Sequence, residues 1–322
     1  MSTDREAMYL LAAGEAIFEE MRRDARVVLM GEDIMLYGGA AAAAEFGPRI
    51  RSTPISENGF VGVAVGAAMT GLRPIVELGI ASFALLAMDQ LVHQAAKLRY
   101  MTGGQTSVPA VFRASMWHNG ANAAHHSDRP YPMLMNVPGI KIVVPATPYD
   151  VKGLLKAAVR DDDPVFIFED NDLWMRTGPV PLEDYVVPFG RAAVRRPGTD
   201  ATVVAISGAV WQALDAADVL AREGIAIEVI DPRTLVPLDR ATILASVART
   251  GRLVVADPAT RTCGAAAEIA AIVVEEIFDA LRAPVVRVAT PDTQIPFSPV
   301  LEKPLYPSAE TIAAAVRRVV GG

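Results

Sequence analysis

From residue 59 onward the chain alternates short apolar runs with longer segments of helical period, in two blocks separated by a proline-rich stretch. This alternation leaves few folds open, because strands interleaved with helices form a parallel sheet covered on both faces. In the first block the pattern predicts helices over 59–70, 83–101 and 148–160. Strands are predicted over 73–80, 109–114, 141–145 and 164–169. Ahead of it, Leu10, Ile17, Phe18 and Met21 recur at helical spacing, so 4–23 reads as an amphipathic helix. Residues 27–30 read as a strand and 37–45 as a Gly/Ala-rich loop. Residues 171–190, with Pro179, Pro181 and Pro188, read as a linker. The second block predicts strands over 201–206, 225–230, 253–256 and 285–289. Its helices fall over 210–222, 239–250, 265–281 and 308–320. The expected architecture is α/β, with two parallel-sheet domains over 1–185 and 186–322.

Composition excludes several partners. The net charge of -7 and the absence of any long Lys/Arg block leave no electrostatic footprint for nucleic acid or anionic membrane. Cys263 is the only cysteine, so an intrachain disulfide and a thiolate zinc site are both ruled out. The best membrane candidate, 75–92, is interrupted by Glu77 and Asp89, and the N-terminus has no basic segment followed by an apolar one. The expectation is a soluble, cytoplasmic protein. Its 52% apolar content suffices for a large core or for buried subunit contacts.

Several residues carry candidate chemistry. Gly59, Gly62, Gly66 and Gly71 do not fit the dinucleotide or P-loop spacing, which leaves a small-residue helix suited to close packing. Glu57 precedes that helix and reads either as a dipole partner or as a catalytic acid. His125 and His126 lie in a segment without helix or strand period. Adjacent histidines point apart in extended chain and do not readily share a metal, but either suits proton transfer near neutral pH. Asp161, Asp162 and Asp163 read as a solvated helix end or as part of a cation site. No G-x-S-x-G elbow occurs.

Motifs along nearly the whole chain carry the rest. They are Gly31-Glu-Asp, Thr53-Pro-Ile-Ser-Glu-Asn-Gly-Phe-Val-Gly, Gly71-Leu-Arg-Pro-Ile-Val-Glu, Asp89-Gln, Gln94-Ala-Ala-Lys-Leu-Arg-Tyr and Gly103-Gly-Gln. Then come His126-Ser, Val137-Pro-Gly-Ile-Lys, Pro145-Ala-Thr-Pro-Tyr-Asp, Asp231-Pro-Arg-Thr-Leu-Val-Pro-Leu-Asp and Pro296-Phe-Ser-Pro-Val-Leu-Glu. In this order they resemble the beta subunits of the thiamine-diphosphate-dependent 2-oxo acid dehydrogenases of the pyruvate, acetoin and branched-chain type.

The resemblance implies a pyrimidine-binding domain followed by a transketolase C-terminal-like domain. It implies that Glu57 hydrogen-bonds the aminopyrimidine ring of thiamine diphosphate. The 4′-imine so favoured then takes the proton from thiazolium C2. Phe83 matches the aromatic position that packs on the pyrimidine, and Gly79 a position that often carries a larger side chain. His126 matches the active-site histidine. Ala110, Ala158, Val159, Asp161 and Asp163 match positions that hold a structural potassium ion. No Gly-Asp-Gly motif for diphosphate and magnesium occurs. The resemblance therefore implies a site completed by an alpha subunit carrying magnesium, in an α2β2 heterotetramer that decarboxylates a 2-oxo acid and passes the acyl group to a lipoyl acyltransferase. The alternatives are a split transketolase-like carboligase and a non-catalytic scaffold; retention of Glu57 and His126 argues against the latter. The chain departs from the family in its 115–122 loop, at Asp128-Arg129-Pro130 after His126-Ser, and at Ala256-Asp257-Pro258 where Glu is common.

Overall fold

The computed structural model describes residues 4–35, 40–118 and 120–321. The chain folds into two units, one of residues 1–117 and 133–189, the other of 118–132 and 190–322. The sequence predicts a single cut near 185. By contacts the chain passes between units at 117/118, 132/133 and 189/190, so the segment bearing His126 groups with the second unit.

The first unit is built on β2 (Val27–Gly31), β3 (Ile50–Ser52), β4 (Arg73–Ile80), β5 (Val111–Met116), β6 (Lys141–Val143) and β7 (Val165–Asp170), once β1 (Asp4–Met8) is set aside. They lie in the order β6-β7-β5-β4-β2-β3, all pairs parallel. The central strands are covered on both faces: all six residues of β7 are buried, the apolar Val165–Phe168 run and the Glu169 and Asp170 that follow it. Helix Tyr9–Arg23 packs on helix Pro148–Arg160, whose N-terminus is fixed by Thr147 accepting from the Asp150 amide at 3.1 Å. Ile17, Met21, Leu154 and Leu155 meet there over Val27, Ile75 and Val165.

Three expectations are corrected in this unit. Residues 4–8 are a strand, not the start of the first helix, and β1 pairs antiparallel with β8 (Thr177–Pro181) inside the expected linker. Strand pairing is non-local, and the prolines of β8 suit an edge strand that needs few ladder donors. Part of the expected 37–45 loop, Ala40–Phe46, is a helix; residues 37–39 lie outside the described residues. The 83–101 helix is a run of changing pitch: a 3-10 segment Ala81–Ala87, a π segment Asp89–Ala95 and an α turn Leu98–Met101.

The second unit's sheet orders Val286–Thr290, Leu253–Thr260, Ala201–Ala205 and Ile227–Asp231 in parallel, with Ala193–Arg196 antiparallel at one edge. That edge strand is not visible in the sequence, where Arg195 and Arg196 mask it. Asp239 caps helix Arg240–Thr250, and a Ser308/Thr311 capping box starts helix Ala309–Val320. No helix among the described residues is long and apolar enough to cross a membrane.

Candidate active site

In open α/β sheets ligands gather beyond the carboxyl ends of the strands. In the first unit β2, β3 and β4 are direct neighbours, and each delivers one element of the candidate site. Glu32 follows the last residue of β2, Gly31. Gly31 allows this placement because its φ is +149° and a Cβ there would sit 2.1 Å from the Glu77 carbonyl oxygen of β4. The loop after β3 carries Thr53, whose amide donates to the Gly31 carbonyl at 2.9 Å. The loop ends in Glu57, the first residue of helix Glu57–Met69. β4 bulges between Glu77 and Ile80 at Gly79, whose φ of +69° suits glycine. A Cβ on Gly79 would touch Glu32 Oε1 at 3.5 Å.

Two acids are thus buried together, Glu32 at 4% and Glu57 at 5% exposure. Burial pushes Glu32 up to about 7, and the charges of Glu57 and Asp33 add to the rise. Among the described residues Glu32 Oε2 and Thr53 Oγ1 are buried without a hydrogen-bond partner. Such groups are costly unless something polar reaches them, so the pocket chemistry fits a ligand rich in hydrogen-bonding atoms.

The raised Glu32 has a measurable consequence. Its folded pKa of about 7 lies above the usual carboxylate value, so folded chain holds this proton after unfolded chain has lost it. The associated stability is complete below the unfolded pKa and is lost as pH rises through about 7. Glu32→Gln cannot ionise. Urea midpoints are therefore expected to favour the variant over wild type more at pH 8 than at pH 5; an equal difference at both values would contradict the assignment.

In the second unit, His126 ends a single helical turn, Ala123–His126, and is half-buried, while His125 is exposed. The turn is strained: Ala121 and Ala123 both hold φ +56°.

Comparison with known proteins shows the family. "Transketolase, pyrimidine binding domain" matches residues 5–175, and "Transketolase, C-terminal domain" matches 190–312. The beta subunit of acetoin:2,6-dichlorophenolindophenol oxidoreductase from Cupriavidus necator is 44% identical, covering 99% of this chain and 98% of that one. The chain belongs to the beta subunits of the thiamine-diphosphate-dependent E1 family. A pyruvate dehydrogenase E1 beta subunit from Rickettsia felis is 44% identical, over 96% of each chain. The 2-oxoisovalerate dehydrogenase beta subunit of Bacillus subtilis is 40% identical, over 97% of this chain and 98% of that one. Among solved structures, "Split gene transketolase, inactive beta4 tetramer" superposes with a TM-score of 0.80 at 25% identity, covering 97% of this chain and 98% of that chain.

E1 enzymes of this family use thiamine diphosphate. The structure brings Glu57 and Gly79 together around Glu32, and leaves Phe83 half-buried in the helical run that follows β4. His126 lies in the other unit. Sequence reasoning misses Glu32 as a site residue. It stands inside the Gly31-Glu-Asp motif, and the available signal is an acid directly after an apolar strand.

The positions that the resemblance matches to a potassium site make contacts within the chain itself. The Val159 and Asp161 carbonyls each accept from Arg73 Nη1, at 2.9 and 2.8 Å. Ala110 O accepts from the Val165 amide at 3.0 Å and Ala158 O from the Asp161 amide at 3.2 Å. Lys141 Nζ lies 2.8 Å from the Asp161 carboxylate and 3.0 Å from that of Asp163. Arg73 pairs with Asp162 and Arg99 with Asp163. The acidic run is paired with the protein's own cations. Among the described residues no group of three or more His, Cys, Asp or Glu could hold a metal ion.

Proposed function

We propose that this chain is the beta half of a 2-oxo acid decarboxylating dehydrogenase, with its active site completed by an alpha subunit. The observation that carries the reading is the buried Glu57–Glu32 pair at the carboxyl ends of β2–β4, with polar atoms awaiting a partner. Thiamine diphosphate, when bound, supplies a carbon nucleophile that adds to the 2-oxo group and stores the electron pair released as carbon dioxide leaves.

The chain's own residues serve that chemistry. Glu57 would face the aminopyrimidine ring and exchange a proton with a ring nitrogen. Its place in the first turn of a helix, away from bulk water, fixes the carboxyl before the ring arrives. Phe83 would pack against the ring, and Gly79 leaves room beside it. His126 would handle protons on the substrate side, where an imidazole suits transfer near neutral pH. The acyl group would then pass to a sulfur of lipoyl-lysine, whose disulfide is reduced as the carbon is oxidised.

The absence of Gly-Asp-Gly in this sequence supports a division of labour in which an alpha subunit holds magnesium and the diphosphate, in an α2β2 assembly. The "subunit beta" names of the relatives support the same division. A second reading, a split transketolase-like carboligase, draws support from the 0.80 TM-score to a split-gene transketolase and from the altered 115–130 segment.

The test is to co-purify the chain with its alpha-type subunit and offer a panel of 2-oxo acids with thiamine diphosphate, magnesium and an artificial electron acceptor. Acceptor reduction with one acid is expected. Condensation with an added aldehyde and no acceptor reduction would replace the dehydrogenase reading by the carboligase.

A further inference from the structure

The two places where the chain departs from its family around His126 meet each other in the second unit. His118 comes from the first departing segment and Arg129 from the second. Arg129 Nη2 donates to His118 Nδ1 at 2.7 Å, so that nitrogen accepts and a neutral imidazole there carries its proton on Nε2. The Arg129 guanidinium lies over the Tyr306 ring at 4.6 Å, and the His118 ring lies 4.8 Å from the same ring. Arg129 is 8% exposed. Its Nη1 donates at 3.1 Å to the carbonyl of Ser127, the residue after His126. Two residues beyond Arg129, the buried Tyr131 hydroxyl donates to Asp257, which lies in the departing stretch 256–258. Asp257 in turn accepts from the Ala259 amide at 3.0 Å and the Ala266 amide at 2.9 Å.

Taken together, these contacts pin the histidine turn at both ends. Ala121 and Ala123 hold a left-handed backbone that alanine rarely adopts, and such a conformation persists only where its surroundings over-determine it. We infer that Arg129, braced by His118 and Tyr306, is a positioning residue that sets the place of His126 for the reaction. The inference rests on the proton-handling role of His126 proposed above. The clamp works through backbone: Arg129 holds the carbonyl next to His126 and does not need to touch substrate.

The test uses the chain assembled with its alpha-type subunit. Arg129→Met keeps bulk and apolar stem but cannot donate. Its kcat is expected to fall roughly 10–100-fold, as for a reacting group misplaced by about 1 Å, with the KM for the 2-oxo acid and the affinity for thiamine diphosphate changed less than about threefold. Hydrogen exchange should rise in the amides of 120–128 and stay unchanged in the strands of the second unit. Arg129→Lys reaches one acceptor at a time and should recover part of kcat. Tyr306→Leu, which leaves the Arg129 bonds to His118 and to the Ser127 carbonyl in place, should act in the same direction more weakly, and serves if Arg129→Met fails to fold. Wild-type kcat in Arg129→Met or Tyr306→Leu, or unchanged exchange at 120–128, would overturn the inference. His126→Ala separates the two layers: if it keeps full kcat, the role of His126 falls, while the exchange measurement still decides the clamp.

Discussion

Glu57→Gln is expected to lower kcat of the assembled enzyme by roughly 10²–10⁴-fold, the usual contribution of a positioned proton-transfer group. Glutamine preserves the shape and one hydrogen bond but cannot exchange a proton. Affinity for thiamine diphosphate should therefore fall far less than kcat, and Glu57→Ala should lose both. The fold is not at stake. An acid in the first helical turn contributes about 0.3–1 kcal/mol through the helix dipole. A second signature follows from the neighbouring acid. The charge of Glu57 helps hold Glu32 up at about 7, so in Glu57→Gln the Glu32 carboxyl should titrate lower. Full activity in Glu57→Ala would refute the catalytic assignment and favour a chain that keeps only the fold.

The largest expected stability effect lies in the sheet beneath the site. Arg113 of β5 is buried between Glu77 of β4 and Glu169 of β7, donating from Nε to Glu169 at 2.8 Å and pairing with Glu77 through Nη1. Removing the cation leaves two carboxylates with nothing to offset their desolvation. Arg113→Met is expected to cost about 3–5 kcal/mol, the range for breaking a buried ion pair from one side. Burial already raises Glu77 even with Arg113 present. Without the guanidinium Glu77 should titrate higher still in the folded chain. A group of that kind contributes stability below its unfolded pKa and loses it as pH rises through the folded value. The deficit of Arg113→Met should therefore shrink at pH 5 relative to pH 8 in chemical unfolding. Adding Glu77→Gln and Glu169→Gln should recover much of the loss. A single variant as stable as wild type at pH 8 would contradict this account of the sheet.

These effects show where the sequence is readable. The strand at 73–80 and the helix at 148–160 are legible to the residue, because each is bounded by local chemistry: Gly71 before one, Thr147-Pro148 before the other. The pairing of Asp4–Met8 with Thr177–Pro181 is not legible, since nothing local in either segment names a partner some 170 residues away. Glu57 is marked by its motif and Gly79 by resemblance, but the bulge and left-handed φ that explain Gly79 emerge only with the sheet. Glu32 escapes notice because its burial depends on Gly31 letting two strands approach. The acidic run at 161–163 shows the reverse case. Sequence displays its carboxylates, whereas Arg73, Arg99 and Lys141 arrive from distant segments and neutralise them. Likewise, nothing local in the sequence at His118 announces the Arg129 side chain and the Tyr306 ring placed against it.

The central claim is that this chain supplies half of a thiamine-diphosphate site. Turnover of a 2-oxo acid with an artificial electron acceptor tests it most directly, measured for the chain alone, its alpha-type subunit alone and the two combined, each with saturating thiamine diphosphate and magnesium. The account predicts turnover in the combined sample only, abolished there by Glu57→Ala. Turnover by the chain alone, or combined activity indifferent to Glu57, would contradict it.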